Sequence, residues 1–221
     1  MRRVSVIVVA AGEGKRFGSA KQFALLRGRP LLDWCLEKFI AHPAVNEIVV
    51  VLPDEKSKAI YLGCGEKITA VVTGGPRRQD SVRKGLEALD PDRADVVLVH
   101  DGVRPFVSRP LISRVIEETR RKKAVIPAIP VEDTIKEAAS GQVVRTLDRE
   151  RLCRAQTPQG FLYSLLKKAF QKASEEGFAG TDEAALVERI GVKVAVVAGE
   201  PGNIKVTTAR DLKIAEAWLD V

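Results

Sequence analysis

A glycine-rich, basic loop near the start of the chain holds the residues best suited to chemistry. Its small residues leave backbone N–H groups bare, so a ligand can approach them closely. These small residues are Ala10, Ala11, Gly12, Gly14 and Gly18. Three cations lie on the same loop, Lys15, Arg16 and Lys21. Bare backbone donors beside fixed cations predict a cradle for a polyphosphate, and a plain strand–turn–helix with a basic, solvated turn is the alternative.

The spacing of the glycines excludes two common phosphate-binding motifs. The Walker pattern needs two glycines five positions apart, but Phe17 and Ser19 stand five residues after Gly12 and Gly14. The dinucleotide fingerprint needs a third glycine where Phe17 stands, and Gly18 comes one residue late. The loop is therefore predicted to be a nucleotide loop of another kind.

Further cations lie on loops that are predicted to meet the first one, namely Arg78, Arg104, Arg149 and Lys205. The same loops show no Ser-His-Asp arrangement and no carboxylate pair suited to acid–base catalysis. Phosphoryl and nucleotidyl transfer need positioning and charge neutralisation more than covalent help from the protein. A site rich in cations and poor in bases therefore favours this class of reaction.

Asp101 is the carboxylate best placed for chemistry, because it follows a predicted strand directly. It is predicted either to lie near a Mg²⁺ that bridges phosphate oxygens or to orient a substrate hydroxyl. A structural role as a turn or helix-cap residue is the alternative.

Apolar strands that alternate with amphipathic helices are predicted to position these loops. Strands are predicted at 4–9, 47–52, 68–73, 95–100, 124–129 and 192–197. Helices are predicted at 31–40, 54–62, 82–89, 109–121, 161–176, 182–190 and 209–219. This order predicts an α/β fold with a Rossmann-like, mostly parallel sheet and helices on both faces. Ligands of such sheets bind beyond the carboxyl ends of the strands, where loops 10–21, 74–81 and 101–105 are predicted to converge.

Residues 131–153 interrupt this alternation. Two charged, core-poor segments flank residues 138–142 and predict a β-hairpin. Because a two-stranded hairpin is marginal alone, it is predicted to project as a dimerisation arm; a flap on its own chain is the alternative. The whole of 1–221 is predicted to form a single domain, with 131–153 as its arm subdomain and a turn at 157–160.

Composition limits the partners and the compartment. The net charge is +7 with acids between the bases, which favours attraction of anionic substrates. Aromatic residues are only 5% of the chain, so base-stacking platforms for nucleic acid are not expected. No apolar run is long enough for a membrane span, and no signal peptide is expected before the first strand. The scattered Cys35, Cys64 and Cys153 indicate a reducing cytoplasm, with Cys35 in the core, and His42 and His100 are not expected to form a metal pair.

Ordered motifs carry a resemblance to a known family. The first loop, followed by Lys21-Gln22, resembles the signature loop of sugar-nucleotide pyrophosphorylases and related nucleotidyltransferases. Further motifs follow in order: Gly74-Gly75, Gln79-Asp80-Ser81-Val82, His100-Asp101, Val103-Arg104-Pro105, Asp133-Thr134-Ile135-Lys136, Asp148-Arg149, Gln156-Thr157-Pro158-Gln159, Thr181-Asp182-Glu183 and Asn203-Ile204-Lys205-Val206-Thr207. Together they resemble the 2-C-methyl-D-erythritol 4-phosphate cytidylyltransferases of the non-mevalonate isoprenoid pathway. The resemblance spans Val6 to about Leu212.

This resemblance implies a reaction and a set of residues. CMP would pass from CTP to 2-C-methyl-D-erythritol 4-phosphate, giving 4-diphosphocytidyl-2-C-methyl-D-erythritol and pyrophosphate. The catalytic residues would be Arg16, Lys21, Arg149 and Lys205. The CTP-binding residues would be Ala10, Ala11, Gly12, Gly14, Gly75, Arg78, Ser81 and Gly102. The residues that bind methylerythritol phosphate would be Asp101, Arg104, Thr134, Arg149, Thr157, Thr181 and Lys205.

The resemblance also implies Mg²⁺, bound at Asp101 or otherwise through the CTP phosphates, and a homodimer in which the arm completes the partner's site. Pro76 and Gly102 depart from the family pattern and affect the details of CTP contact. Ribitol 5-phosphate is the alternative acceptor, because both acceptors are polyol phosphates. A nicotinamide oxidoreductase and a basic RNA-binding module are the alternatives from other classes; the late Gly18 and the few aromatics argue against them.

Overall fold

Strands and helices alternate along most of the chain in a computed structural model that describes residues 3–14, 17–92 and 94–219. The strands are β1 (Val4–Val9), β2 (Leu25–Leu26), β3 (Arg29–Pro30), β4 (Val45–Leu52), β5 (Ile68–Thr73), β6 (Val96–Asp101), β7 (Ala124–Pro130), β8 (Lys136–Ala139), β9 (Gln142–Thr146), β10 (Cys153–Ala155), β11 (Gln159–Leu162) and β12 (Ala195–Ala198). The helices are α1 (Leu31–Ile40), α2 (Glu55–Tyr61), α3 (Arg78–Glu87), α4 (Arg109–Lys122), α5 (Tyr163–Glu175), α6 (Glu183–Arg189) and α7 (Ala209–Trp218). Short 3₁₀ turns cover Lys21–Phe23 and Arg149–Arg151.

One mostly parallel sheet forms the centre of the fold and confirms the predicted class. Its strand order is β10-β7-β11-β6-β1-β4-β5, and β12 pairs with β7. Strand β1 is parallel to both of its neighbours, β4 and β6. Successive residues of β1 point to opposite faces, so Val6 and Val8 pack with α1 and α4, whereas Ile7 packs with α3, α5 and α6. Both faces are covered, which explains the uninterrupted apolar strands, and Cys35 is buried in this core as predicted.

Strand β11 corrects the predicted turn at 157–160 and the predicted start of the following helix. Gln159–Leu162 forms an antiparallel strand between β6 and β7, and the helix begins only at Tyr163. A side chain at Gly160 would place its Cβ 2.1 Å from Thr119 Oγ1, so glycine allows α4 to pack closely on this strand. Four residues after a proline carry too little periodicity to indicate a central strand, and only pairing with β6 and β7 creates it.

The predicted hairpin is present as a separate two-stranded sheet. Strands β8 and β9 pair antiparallel around Ser140 and Gly141, which adopt φ angles of +50° and +79°. Every residue of both strands is exposed, including Val143 and Val144 at 63% and 58%. The hairpin therefore projects from the sheet, with shorter strands than the sequence pattern predicts.

Candidate active site

A cavity of about 360 Å³ lies at the carboxyl ends of the parallel strands. Its walls come from the loop after β1, the loop before α3, the end of β6 and the segment after β12. The structure brings together many of the predicted site residues around it: Ala10, Ala11, Gly12, Gly14, Lys21, Gly75, Arg78, Ser81, Asp101 and Lys205. The predicted convergence of loops 10–21, 74–81 and 101–105 is therefore confirmed for the described part of these loops.

Glycines allow the backbone to close around the cavity. A Cβ at Gly14, whose φ is +71°, would lie 1.7 Å from the carbonyl oxygen of Ser19, so the first loop folds onto itself. A Cβ at Gly74 would lie 2.3 Å from the Ala11 Cβ, so this glycine lets the two loops touch. The N–H of Gly75 donates to Ser81 Oγ at 3.1 Å, which joins this loop to α3. The result is a wall of backbone and small side chains, as a cradle for a phosphorylated ligand requires.

Asp101 is the centre of a charge cluster at the floor of the cavity. Its Oδ2 lies 2.9 Å from Lys205 Nζ and 3.4 Å from Arg104 Nε, while its Oδ1 lies 3.2 Å from Arg78 Nε. Burial alone would raise the pKa of Asp101, but these three cations hold it well below its usual range. Asp101 is therefore ionised, and it acts as a shared counterion that holds three cations together.

Glu183 is a second buried carboxylate in this cluster and was not among the predicted site residues. Its side chain is 1% exposed, and Arg78 Nη1 lies 2.7 and 2.9 Å from its two oxygens. Burial raises the pKa of Glu183, although Arg78 acts in the opposite direction. The sequence pattern indicates only a helix start here, with Asp182 as the cap that accepts from Ala185 N. An acid of this kind usually faces solvent, so nothing local indicates that Glu183 is buried.

His100 and Thr157 fix the loop that carries Asp101. The Arg104 carbonyl oxygen, 3.4 Å from His100 Nε2, can only accept, so Nε2 carries the proton of the neutral ring. His100 Nδ1 then accepts from the Thr157 hydroxyl at 3.0 Å, and Thr157 Oγ1 accepts from the Asp101 N–H at 3.1 Å. The Thr157 hydroxyl therefore makes its hydrogen bonds to groups within the protein, Asp101 N and His100 Nδ1.

Several predicted residues lie away from the cavity wall. Arg104 and Thr157 are buried behind it, where Arg104 Nη1 and Thr157 O both bond to Asn203. Gly102 lies beneath the loop, where a Cβ would be 3.0 Å from both the Ala10 Cβ and Leu32 Cδ1. Thr134, Arg149 and Thr181 are exposed and do not line it. Arg16, like Lys15, lies outside the described residues.

The histidine gives a pH-dependent prediction. Burial lowers the pKa of His100 to about 3, against the upward influence of Asp101. Between pH 3 and its unfolded value of about 6.5, the unfolded chain binds a proton that the folded chain does not. As the pH is lowered through this range, the free energy of unfolding should therefore decrease by up to about 1.4 kcal/mol per pH unit from this group. Urea unfolding of wild type and His100→Gln at pH 5 and pH 7 should show a steeper loss in wild type; equal slopes would contradict the assignment.

The described side chains do not build a metal site of their own. No group of three or more His, Cys, Asp and Glu residues is placed to hold an ion in the portions 3–14, 17–92 and 94–219. Both oxygens of Asp101 are engaged by cations.

Within residues 3–14, 17–92 and 94–219, none of the helices is sufficiently long and apolar to cross a bilayer.

The sheet order and the position of the cavity place the chain among the α/β proteins that bind nucleotides at the carboxyl ends of their strands. It belongs, more narrowly, to the 2-C-methyl-D-erythritol 4-phosphate cytidylyltransferase family, whose model matches residues 4–221. The family resemblance predicted from the ordered motifs is therefore confirmed.

Relatives and solved structures agree with this family. The chain is 43% identical to the 2-C-methyl-D-erythritol 4-phosphate cytidylyltransferase of Geotalea uraniireducens, covering 98% of this chain and 97% of the relative. It is 44% identical to that of Symbiobacterium thermophilum, covering 98% and 93%. The crystal structure of the Thermus thermophilus enzyme of the same name is similar with a TM-score of 0.81 at 38% identity, covering all of both chains. The 4-diphosphocytidyl-2C-methyl-D-erythritol synthase of Anaerococcus prevotii has a TM-score of 0.88 at 34% identity, covering 100% and 97%.

Proposed function

We propose that this protein transfers CMP from CTP to 2-C-methyl-D-erythritol 4-phosphate and releases pyrophosphate. The observation that carries the proposal is the full-length family match together with a cation-lined cavity beside a glycine-rich loop. The same match favours methylerythritol phosphate over ribitol 5-phosphate, a choice that the cations alone leave open.

The reaction exchanges one phosphorus–oxygen bond for another. An oxygen of the methylerythritol phosphate attacks the α-phosphorus of CTP, and the bond from that phosphorus to the β-phosphate oxygen breaks. Both electrons of the broken bond leave with pyrophosphate, so no protein group needs to exchange a proton. Positioning and neutralisation of the developing charge are what the protein must supply.

The residues around the cavity suit these tasks. The loop after β1 and the Gly75–Ser81 segment hold CTP, with Ala10, Ala11, Gly12, Gly14, Arg78 and, from beneath the loop, Gly102. Lys21 lines the cavity at the end of the first loop and, with Arg16, stabilises the charge on the α-phosphate. Lys205 also lines it and holds the acceptor phosphate beside Asp101. The buried Arg104 and Thr157 support this acceptor site, and the family resemblance assigns the exposed Thr181 to it as well.

Mg²⁺ enters this proposal as part of the CTP substrate. The cluster around Asp101 offers an ion no open carboxylate oxygen, because both oxygens contact cations. Of the two metal positions expected from the sequence, this favours the CTP phosphates, which supply hard oxygen ligands that Mg²⁺ prefers. The ion would neutralise the leaving pyrophosphate.

A homodimer is part of the same proposal. Thr134 and Arg149 belong to the expected acceptor site, yet both are exposed and lie beside the arm. The Arg149 guanidinium donates to the Glu132 carbonyl at 2.8 Å, at the base of the hairpin. An arm that reaches a second subunit would place these two residues in the partner's cavity and cover Val143 and Val144.

The free thiols of Cys35, Cys64 and Cys153 support a reducing cytoplasm as the compartment.

A pyrophosphate-release assay tests the reaction. With Mg²⁺ present, pyrophosphate should appear only when CTP and methylerythritol phosphate are both added. UTP in place of CTP, and ribitol 5-phosphate in place of the acceptor, are the matched controls. A preference for either control substrate would contradict the proposal.

A further inference from the structure

Arg78 bridges two buried carboxylates that come from separate elements of the fold. Its Nε contacts Asp101 at the end of β6, and its Nη1 contacts both oxygens of Glu183 at the start of α6. Its third nitrogen, Nη2, makes no hydrogen bond to the portions of the chain that the structure describes, and Arg78 lines the cavity. Two fixed contacts thus determine the direction of the remaining donor.

Neither stability nor attraction of substrate explains why Glu183 is buried here. A buried ion pair contributes little more to stability than well-packed apolar groups, because desolvation of both ions offsets their attraction. A negative charge beside a site for a triphosphate also weakens the attraction of that ligand by simple electrostatics. Glu183 does fix the position of the Arg78 guanidinium. Without such a contact, the long arginine side chain would leave this group mobile.

The start of α6 is itself held by contacts that do not involve Arg78. Gln159 Nε2 donates to Asp182 Oδ2 at 2.8 Å, and its Oε1 accepts from Ala184 N at 3.2 Å. The Gly180 N–H donates to Gln79 Oε1 at 2.9 Å. The backbone that carries Glu183 is therefore held in place by Gln159 and Gln79. Neither residue contacts the Glu183 carboxylate, so removing its charge should leave their hydrogen bonds intact.

We propose that Glu183 is a positioning residue for the nucleotide: it holds the Arg78 guanidinium so that its free donor faces CTP. This inference rests on the proposed function, in which Arg78 contacts CTP. It predicts a change in CTP affinity opposite to the change expected from the charge of Glu183 alone. Removing the negative charge of Glu183 should weaken CTP binding, whereas electrostatics alone would strengthen it.

Calorimetric titration of MgCTP without acceptor measures this sign directly. Glu183→Gln should raise the dissociation constant about tenfold, as expected for loss of one charge-assisted contact. Glu188→Gln makes the same charge change at an exposed position of the same helix and should bind as wild type does. A Glu183→Gln protein that binds CTP as tightly as wild type, or more tightly, would overturn the inference.

A double-mutant comparison tests whether Glu183 acts through Arg78. Once Arg78→Ala has weakened binding, adding Glu183→Gln should cause no further loss; two losses that multiply would overturn the inference. If Glu183→Gln does not fold, CTP binding by Arg78→Lys is measured instead. An ammonium keeps the positive charge of Arg78 but cannot contact Asp101, Glu183 and CTP at once as the guanidinium does. Arg78→Lys should bind as weakly as Arg78→Ala, and wild-type affinity would overturn the inference. Failure of the wild-type chain to bind CTP would instead overturn the proposed function and the inference with it.

Discussion

Replacing Lys21 by alanine is expected to lower turnover by roughly 10²–10³ while the protein stays folded. Lys21 follows the glycine-rich loop and lines the cavity, so its ammonium can meet charge that develops on the α-phosphate as pyrophosphate leaves. Such a contact strengthens in the transition state, and its loss therefore appears in kcat. Steady-state kinetics with saturating CTP and methylerythritol phosphate measure it.

Separate values of kcat and of KM for CTP distinguish a role of Lys21 in the transition state from a role in binding CTP. A variant with unchanged kcat and a raised KM for CTP would show that Lys21 only binds the ground state. Lys168→Ala removes the same kind of side chain at an exposed position of α5, and it should keep wild-type kinetics. Thermal unfolding of both variants checks that the loss of activity in Lys21→Ala does not arise from loss of structure.

Mixed dimers of Lys21→Ala and Arg149→Ala chains are expected to regain roughly a quarter of wild-type activity, although each variant alone is nearly inactive. Arg149 is exposed beside the projecting arm and does not line the cavity of its own chain. If it completes the partner's site, one site in each mixed dimer contains both wild-type groups. Random reassociation makes about half of the dimers mixed, and half of their sites are intact.

The experiment needs dissociation and reassociation of both variants together, with native mass spectrometry to show that mixed dimers form. If mixed dimers are present and no activity returns, both residues act within one chain and the shared site is wrong. The matched control mixes Lys21→Ala with Arg145→Ala, an exposed arginine on β9. Half of all sites in that control keep a wild-type Lys21 with or without exchange, so about half of wild-type activity should remain, which checks that dissociation and reassociation do not inactivate the protein.

The sequence by itself determined the class of fold and the contents of the cavity wall. Apolar runs and helical periodicity are local signals, and they located β1, β5, β6 and the helices between them. Parallel strands bring their carboxyl ends to one edge, so Lys21, Arg78, Asp101 and Lys205 could be expected to meet. Ordered motifs along the whole chain indicated the family, which the family model confirms.

Only the tertiary structure decided which polar groups are buried and how they pair. The strand β11 exists because its backbone pairs with β6 and β7, and its own four residues carry no signal for it. Glu183 meets Arg78 across 105 positions of sequence, and His100 Nδ1 accepts from the hydroxyl of Thr157, 57 positions away. Such contacts depend on desolvation and on the exact approach of distant segments, which residue type and local spacing do not encode.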